Sequence, residues 1–154
     1  SIEGLRTADV SARRSAARAI AYEAALQPLP SFALERIGKL MRTEGDALVW
    51  AEILRAASQT GDFCAHELAM AALLHGESDV RRRACEYLTN CGDERHCEAV
   101  AKLLVDRDPV VAKAALLALG KCGPPQNRQP VYALLSSVDV QQQVYAAQTV
   151  ARWN

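Results

Sequence analysis

Acidic residues at positions 46, 77, 108 and 139 stand 31, 31 and 31 apart, and each opens the same kind of segment. Val111, Ala115 and Leu119 follow Asp108; Val80, Ala84 and Leu88 follow Glu77; Val49, Ile53 and Ala57 follow Asp46; Gln142, Ala146 and Val150 follow Asp139. A first copy opens at Asp9 with Ala12, Ala16 and Ile20, 37 residues before Asp46, and the six extra residues fall around Gln27-Pro28-Leu29-Pro30. Steps of four place these side chains on one face of a helix. A unit of 31 residues has room for two short helices and their turns. One such pair cannot cover its own apolar stripe, so consecutive pairs must stack.

The second helix of each unit is expected over roughly Phe32–Arg42, Phe63–His75, Glu94–Val105 and Arg128–Ser136, with Leu73, Leu104 and Leu135 at one repeat position. Gly61-Asp62, Gly92-Asp93 and Gly123-Pro124 mark the junctions. Glycine there permits a left-handed helix end, and Asp caps the helix that follows. Pro109 and Pro130 suit a first turn, where a missing N–H costs nothing. Cys91 and Cys122 precede two of the junction glycines, where a small side chain packs under a turn. No segment alternates with the two-residue period of a strand.

Composition narrows the function classes. Ala and Leu dominate the apolar half of the chain, both strong helix formers. Eighteen basic residues balance eighteen acidic ones, so a general nucleic-acid binder is disfavoured. No apolar run reaches the ~18 residues of a membrane span, and no secretory signal stands at the front. Five cysteines, an odd number scattered through helical segments, favour a reducing compartment and a cytoplasmic location.

Segments such as DPVVAKAALLALGKCG and ESDVRRRACEYLTNCGD resemble the short HEAT-like repeats named after phycobilisome lyases: acidic residue, Pro, Val-Arg, paired Ala, Leu-Gly. The resemblance covers nearly the whole chain. It implies that the Asp-opened helices line the inner, concave side and the others the outer side. The family's Arg after Val stands here as Arg13 and Arg81 but is replaced by Trp50, Ala112 and Gln143 elsewhere, which interrupts a ladder of arginines. The first unit has no clear outer helix before it and the last has none after it. The chain therefore reads as one domain, 1–154, expected to be a section of a longer array, with end surfaces open to self-association.

Candidate chemistry is sparse. His66-Glu67 resembles the iron-holding His-Glu pairs of the HEAT-repeat deoxyhypusine hydroxylases, but the equivalent one repeat later is Cys97-Glu98, so a di-iron set is incomplete. Cys91, His96 and Cys97 lack the spacing of a zinc knuckle. Trp50 with Glu52 resembles the Trp-and-acid pairing of HEAT-like alkylpurine glycosylases, without their basic groove. No nucleophile–base trio or glycine-rich phosphate loop appears. The expectation is a protein that is not an enzyme and carries no metal or cofactor.

One pattern points to a surface. Positions two and six after the core residue face away from the buried stripe. They hold Arg14, Arg18, Arg55, Arg82 and Lys113, with one acidic residue, Glu86, among the ten. The sequence therefore predicts an all-α, right-handed α-solenoid of HEAT-like pairs. Its concave face, through Arg14, Arg18, Trp50, Arg55, Arg82, Lys113 and Leu117, would bind a protein or peptide partner, acidic or phosphorylated, with neither nucleic acid nor membrane involved. The alternative is a bilin lyase or chaperone-like subunit handling an anionic ligand in an apolar pocket of Trp50, Tyr87 and Leu117.

Overall fold

The computed structural model describes residues 1–61 and 63–154. Nine α-helices run through these residues, with no strand among them. The long-helix layer is α1 (Val10–Leu26), α3 (Ala47–Ala57), α5 (Ser78–Cys91), α7 (Pro109–Cys122) and α9 (Val140–Arg152). The other layer is α2 (Ser31–Met41), α4 (His66–Leu73), α6 (Cys97–Lys102) and α8 (Gln129–Leu134). Within the first layer each helix packs on the next, α1 on α3, α3 on α5, α5 on α7 and α7 on α9. This is the neighbour order that the 31-residue interval requires of a solenoid.

The five acidic openers are the residues preceding the long helices. Asp9, Asp46, Asp108 and Asp139 accept backbone N–H groups of their own first turns, which satisfies donors that the helix start leaves unpaired. Glu77 holds the same place without a side-chain cap. The steps of four behind them form the core: Val49, Ile53, Ala57, Val80, Ala84, Leu88, Val111, Ala115 and Leu119 are fully buried. Ala84 and Ala115 let neighbouring helices approach closely. In the end units the stripe is only half covered, at Ala12, Ala16, Gln142 and Val150.

Four local features differ from expectation. Gly61 and Gly123 have positive φ, 68° and 108°, but Gly92 has φ −61° and is extended. Its lack of a side chain serves packing instead: a Cβ there would meet Cys122 Sγ and Leu88 O at 2.5 Å. Asp93 caps a 3-10 turn, Glu94–His96, ahead of α6, whereas the matching cap expected at Asp62 lies outside the described residues. Ahead of α1 a 3-10 turn over Ile2–Arg6 packs on that helix, with Leu5 buried and Gly4 pressed on Ala16. At the other end Trp153 is half-buried and donates its Nε1–H to Leu119 O at 2.8 Å, so the last turn seals itself onto α7.

The linkers before the long helices share a polar fastening. Four residues after four of the five openers, a side-chain N–H reaches back to the carbonyl six residues earlier. Arg13 Nη1 donates to Thr7 O at 3.0 Å, Trp50 Nε1 to Glu44 O at 2.8 Å, Arg81 Nη1 to His75 O at 2.8 Å, and Gln143 Nε2 to Ser137 O at 2.6 Å. The residue two before the opener accepts the opener's own N–H: Glu44 at 2.8 Å, His75 at 3.0 Å, Asp106 at 2.9 Å and Ser137 at 3.1 Å. These two positions also meet across units. Arg13 pairs with Glu44 at 2.7 Å, Arg81 pairs with Asp106 at 2.8 Å, and the Trp50 ring stands edge-on to His75 with centroids 5.7 Å apart. Trp50 and Gln143 thus replace the arginine while keeping its donor. Ala112 does not.

Candidate interaction surface

The long-helix layer has a face not consumed by packing, and most of the expected surface residues lie on it. Arg14, Arg18 and Arg55 are exposed, while Arg82, Lys113 and Leu117 are half-exposed. Trp50 is a correction: it is 1% exposed, with its N–H on Glu44 O and its ring against His75, so it cannot touch a partner. The reason is its repeat position. Four residues after an opener the side chain turns back under the linker, as Arg13 and Arg81 do.

The positive stripe is also corrected, because four of its five cations lie against carboxylates of the chain itself. Arg14 makes a two-pronged pair with Asp46 at 3.1 and 2.7 Å, and its hydrogen bonds hold the Asp46 carboxyl below the usual carboxylate range. Arg18 and Arg55 share Glu52 at 3.9 and 2.5 Å. Arg82 pairs with Asp79 at 2.6 Å and with Glu86. Arg83 joins it on Asp79, and the Arg83 and Arg82 hydrogen bonds hold that carboxyl low. Arg81 is buried on Asp106. The pattern counted outward-facing cations and could not see acids such as Asp46, Glu52 and Asp79, which reach the same face from other repeat positions. Lys113 alone in the set has a neutral partner among the described residues, Gln141 Oε1 at 2.9 Å.

The seams along this face differ. Between α3 and α5 a shallow groove of about 230 Å³ has a mixed lining that includes Arg55, Gln59, Arg83, Glu86 and Asn90. Where α5, α7 and α9 meet, a groove of about 300 Å³ is lined by Arg82, Glu86, Thr89, Val110, Lys113, Ala114, Leu117 and Tyr145, and its surface is mainly apolar. Val110 on its rim is 54% exposed, and Val144 on the same helix as Tyr145 is 46% exposed. Of the apolar trio offered for a bilin, only Leu117 lines this groove. Tyr87 is buried, its hydroxyl accepting the Ala65 N–H at 3.0 Å, and Trp50 is buried too.

A cluster in the other layer was not legible from sequence. His66 Nδ1 lies 3.2 Å from His96 Nε2, and Cys64 Sγ lies 4.0 Å from the same nitrogen. His96 is fully buried, and its Nδ1 accepts the Asp93 N–H at 3.2 Å, which leaves the proton on Nε2 facing His66. Burial pushes its pKa down, while hydrogen bonds from Arg95 pull Asp93 to about 2. Glu67, the acid of the His-Glu dipeptide, turns to Arg42 instead, whose hydrogen bond lowers its pKa. Cys97 Sγ points at Cys122 O at 3.0 Å, away from Cys91, whose Sγ bonds Tyr87 O at 3.5 Å. Among the described residues no group of three or more His, Cys, Asp or Glu is placed to hold a metal ion. All five cysteines are free and buried. Desolvation pushes Cys85 and Cys122 up to about 12, so neither presents a thiolate nucleophile near neutral pH.

Stacked helix pairs with a capped, repeated opener and one unspent face define an α-solenoid scaffold. The HEAT repeat model matches residues 66–149, over half of the chain, and the chain belongs to the HEAT repeat family. Similar solved structures are crystal structures of engineered proteins. One is 24% identical and aligns over 99% of this chain and 77% of its own, with TM-score 0.66. A second is 22% identical over 99% of this chain and 46% of its own, with TM-score 0.63. A third is 22% identical over 98% and 78%, with TM-score 0.61. At these identities the likeness concerns the fold alone. No curated protein matches the chain. No helix among the described residues is long and apolar enough to cross a membrane.

Proposed function

We propose that this repeat scaffold is a non-catalytic binding module, and that it takes a polypeptide partner on the free face of its long-helix layer, the concave one in the HEAT-like arrangement. The observation that carries the reading is the mainly apolar groove on that face, with Leu117 half-exposed in its wall and Val110 54% exposed on its rim. Contiguous exposed apolar surface marks interaction sites. The internal ion pairs disfavour a long polyanion, since each phosphate would have to displace a carboxylate already bound to its arginine. Five free buried thiols suit a reducing compartment such as the cytoplasm. The bilin alternative is weakened by the burial of Trp50 and Tyr87.

The test is a peptide-display selection on the folded chain, followed by amide chemical-shift mapping with the selected peptides. Shifts should cluster on α3, α5, α7 and α9. Peptides whose shifts are confined to α2, α4, α6 and α8 would overturn the assignment of the face.

A further inference from the structure

Resting on that reading, we infer that the docking point is the groove where α5, α7 and α9 meet, and that its occupant is a polypeptide segment presenting an aliphatic or aromatic side chain beside a carboxylate. The α1/α3 seam is bridged by its own charges, and the α3/α5 groove is smaller and lined largely by polar and charged side chains. Arg14–Asp46 and Arg18–Glu52 bridge α1 to the α3 end of the stack, and Arg55 turns back on Glu52. An apolar anchor entering there would have to break paired charges and leave them partly desolvated. The α5/α7/α9 groove has Val110, Ala114, Leu117 and Tyr145 along its walls and no ion pair spanning it among the described residues. At about 300 Å³ it lies at the small end of ligand pockets, which fits an anchoring side chain better than a whole cofactor.

Charge decides the neighbour of that anchor. Arg82 on one rim is already held by Asp79 and Glu86. Lys113 on the groove wall gives its ammonium to the amide oxygen of Gln141, a neutral acceptor. A carboxylate offered by a partner would replace a neutral hydrogen bond with a charge-assisted one, and the half-covered apolar walls strengthen it relative to open water. The same ammonium and the apolar walls together disfavour a cationic segment.

The probe is a library of fluorescein-labelled nine-residue peptides with Leu or Phe fixed at the centre and other positions randomised. Glu, phosphoserine, Lys or Ser is fixed two residues away. The Glu pool should bind at least tenfold more tightly than the Lys pool. Replacing the central residue by Ser should abolish binding. Lys113→Glu should reverse the preference between the Glu and Lys pools, and Leu117→Asp should weaken every pool at least tenfold. Arg14→Glu with Arg18→Glu should leave affinities unchanged. Circular dichroism melts verify that each variant folds, and shift mapping on the wild-type chain reads the location without any substitution. Equal binding of the Glu and Lys pools overturns the inference, as does a phosphoserine pool that alone binds. Peptides that shift amides of α1 and α3 overturn the groove while leaving the polypeptide reading intact. No binding by any pool, with selected display peptides also failing, overturns both. Concentration-dependent self-association abolished by Leu117→Asp would assign the groove to a second copy instead.

Discussion

The joint between α5 and α7 and the joint between α7 and α9 are the same place in the fold, one repeat apart, and they are held by different chemistry. At the first, Arg81 is 9% exposed and forks onto Asp106 at 2.8 and 3.0 Å while its other nitrogen holds the preceding linker. At the second, Ala112 and Ser137 occupy those two positions and no ion pair forms. There Thr149 Oγ1 lies 2.8 Å from both Leu116 O and Tyr145 O and shares its hydrogen between α7 and its own helix, and Trp153 Nε1 donates to Leu119 O at 2.8 Å, tying α9 to the α7 backbone. The comparison teaches that the repeat demands an apolar contact and an anchored linker at each joint. It does not demand a particular residue to supply them.

The largest expected effect is at the clamped joint. Arg81→Ala would leave Asp106 buried without its ionic partner and the His75 carbonyl without its side-chain donor. Removing one member of a buried pair costs about 3–5 kcal/mol, and chemical denaturation should read a loss of that order. A loss below about 1 kcal/mol would mean that the clamp is ornamental and the two joints are equivalent.

Acid should reach the same pair more gently. Arg81 holds the Asp106 carboxyl below its ordinary pKa. Its contribution is therefore fully present above the unfolded aspartate value of about 3.9 and is lost as pH falls through the lower, folded value. Hydrogen exchange followed downward from pH 5 should show protection falling at the α5/α7 joint before the α7/α9 joint, which has no carboxylate clamp. The opposite order would break the comparison.

Ala115 probes both joints together, because α7 packs on α5 and α9 alike. It is fully buried, and Ala115→Leu should overpack the site and destabilise by about 1–3 kcal/mol. A thermal melt unchanged by the substitution would contradict the register. Thr149→Val tests the second joint alone. It deletes one buried hydrogen bond at nearly constant volume and should cost about 1 kcal/mol, with little change in exchange at the α5/α7 joint. The smallest effect runs the other way. Ala112→Arg together with Ser137→Asp should install the missing clamp and stabilise by about 0.2–1 kcal/mol. A double-mutant cycle with no coupling between the two would show that the geometry of this joint cannot accept it.

Much of this was legible in the residues. The openers, the period and the steps of four located every long helix, because capping and burial are local demands that repeat with the unit. The second helices were located with less sharp limits: α4 starts three residues later than expected and α6 is flanked by 3-10 turns, since a short helix is shaped more by what it packs on than by its own pattern. The surface was legible only in part. Direction along a helix placed Arg14, Arg18, Arg55, Arg82, Lys113 and Leu117 on one face. It could not tell which of them would find an acid there.

What the sequence determined by itself is the order and stacking of the helices, since a 31-residue unit with one apolar stripe has a single way to bury it. Only the tertiary structure decided that Trp50 is a linker fastening, that four arginines of the stripe are spent internally, and that His66 and His96 meet. The physical reason is range. Burial and capping act within a turn or between equivalent positions of adjacent units, and they repeat where the sequence repeats. Pairing of long polar side chains depends on what reaches the same point from a neighbouring unit, and at those positions this chain does not repeat itself.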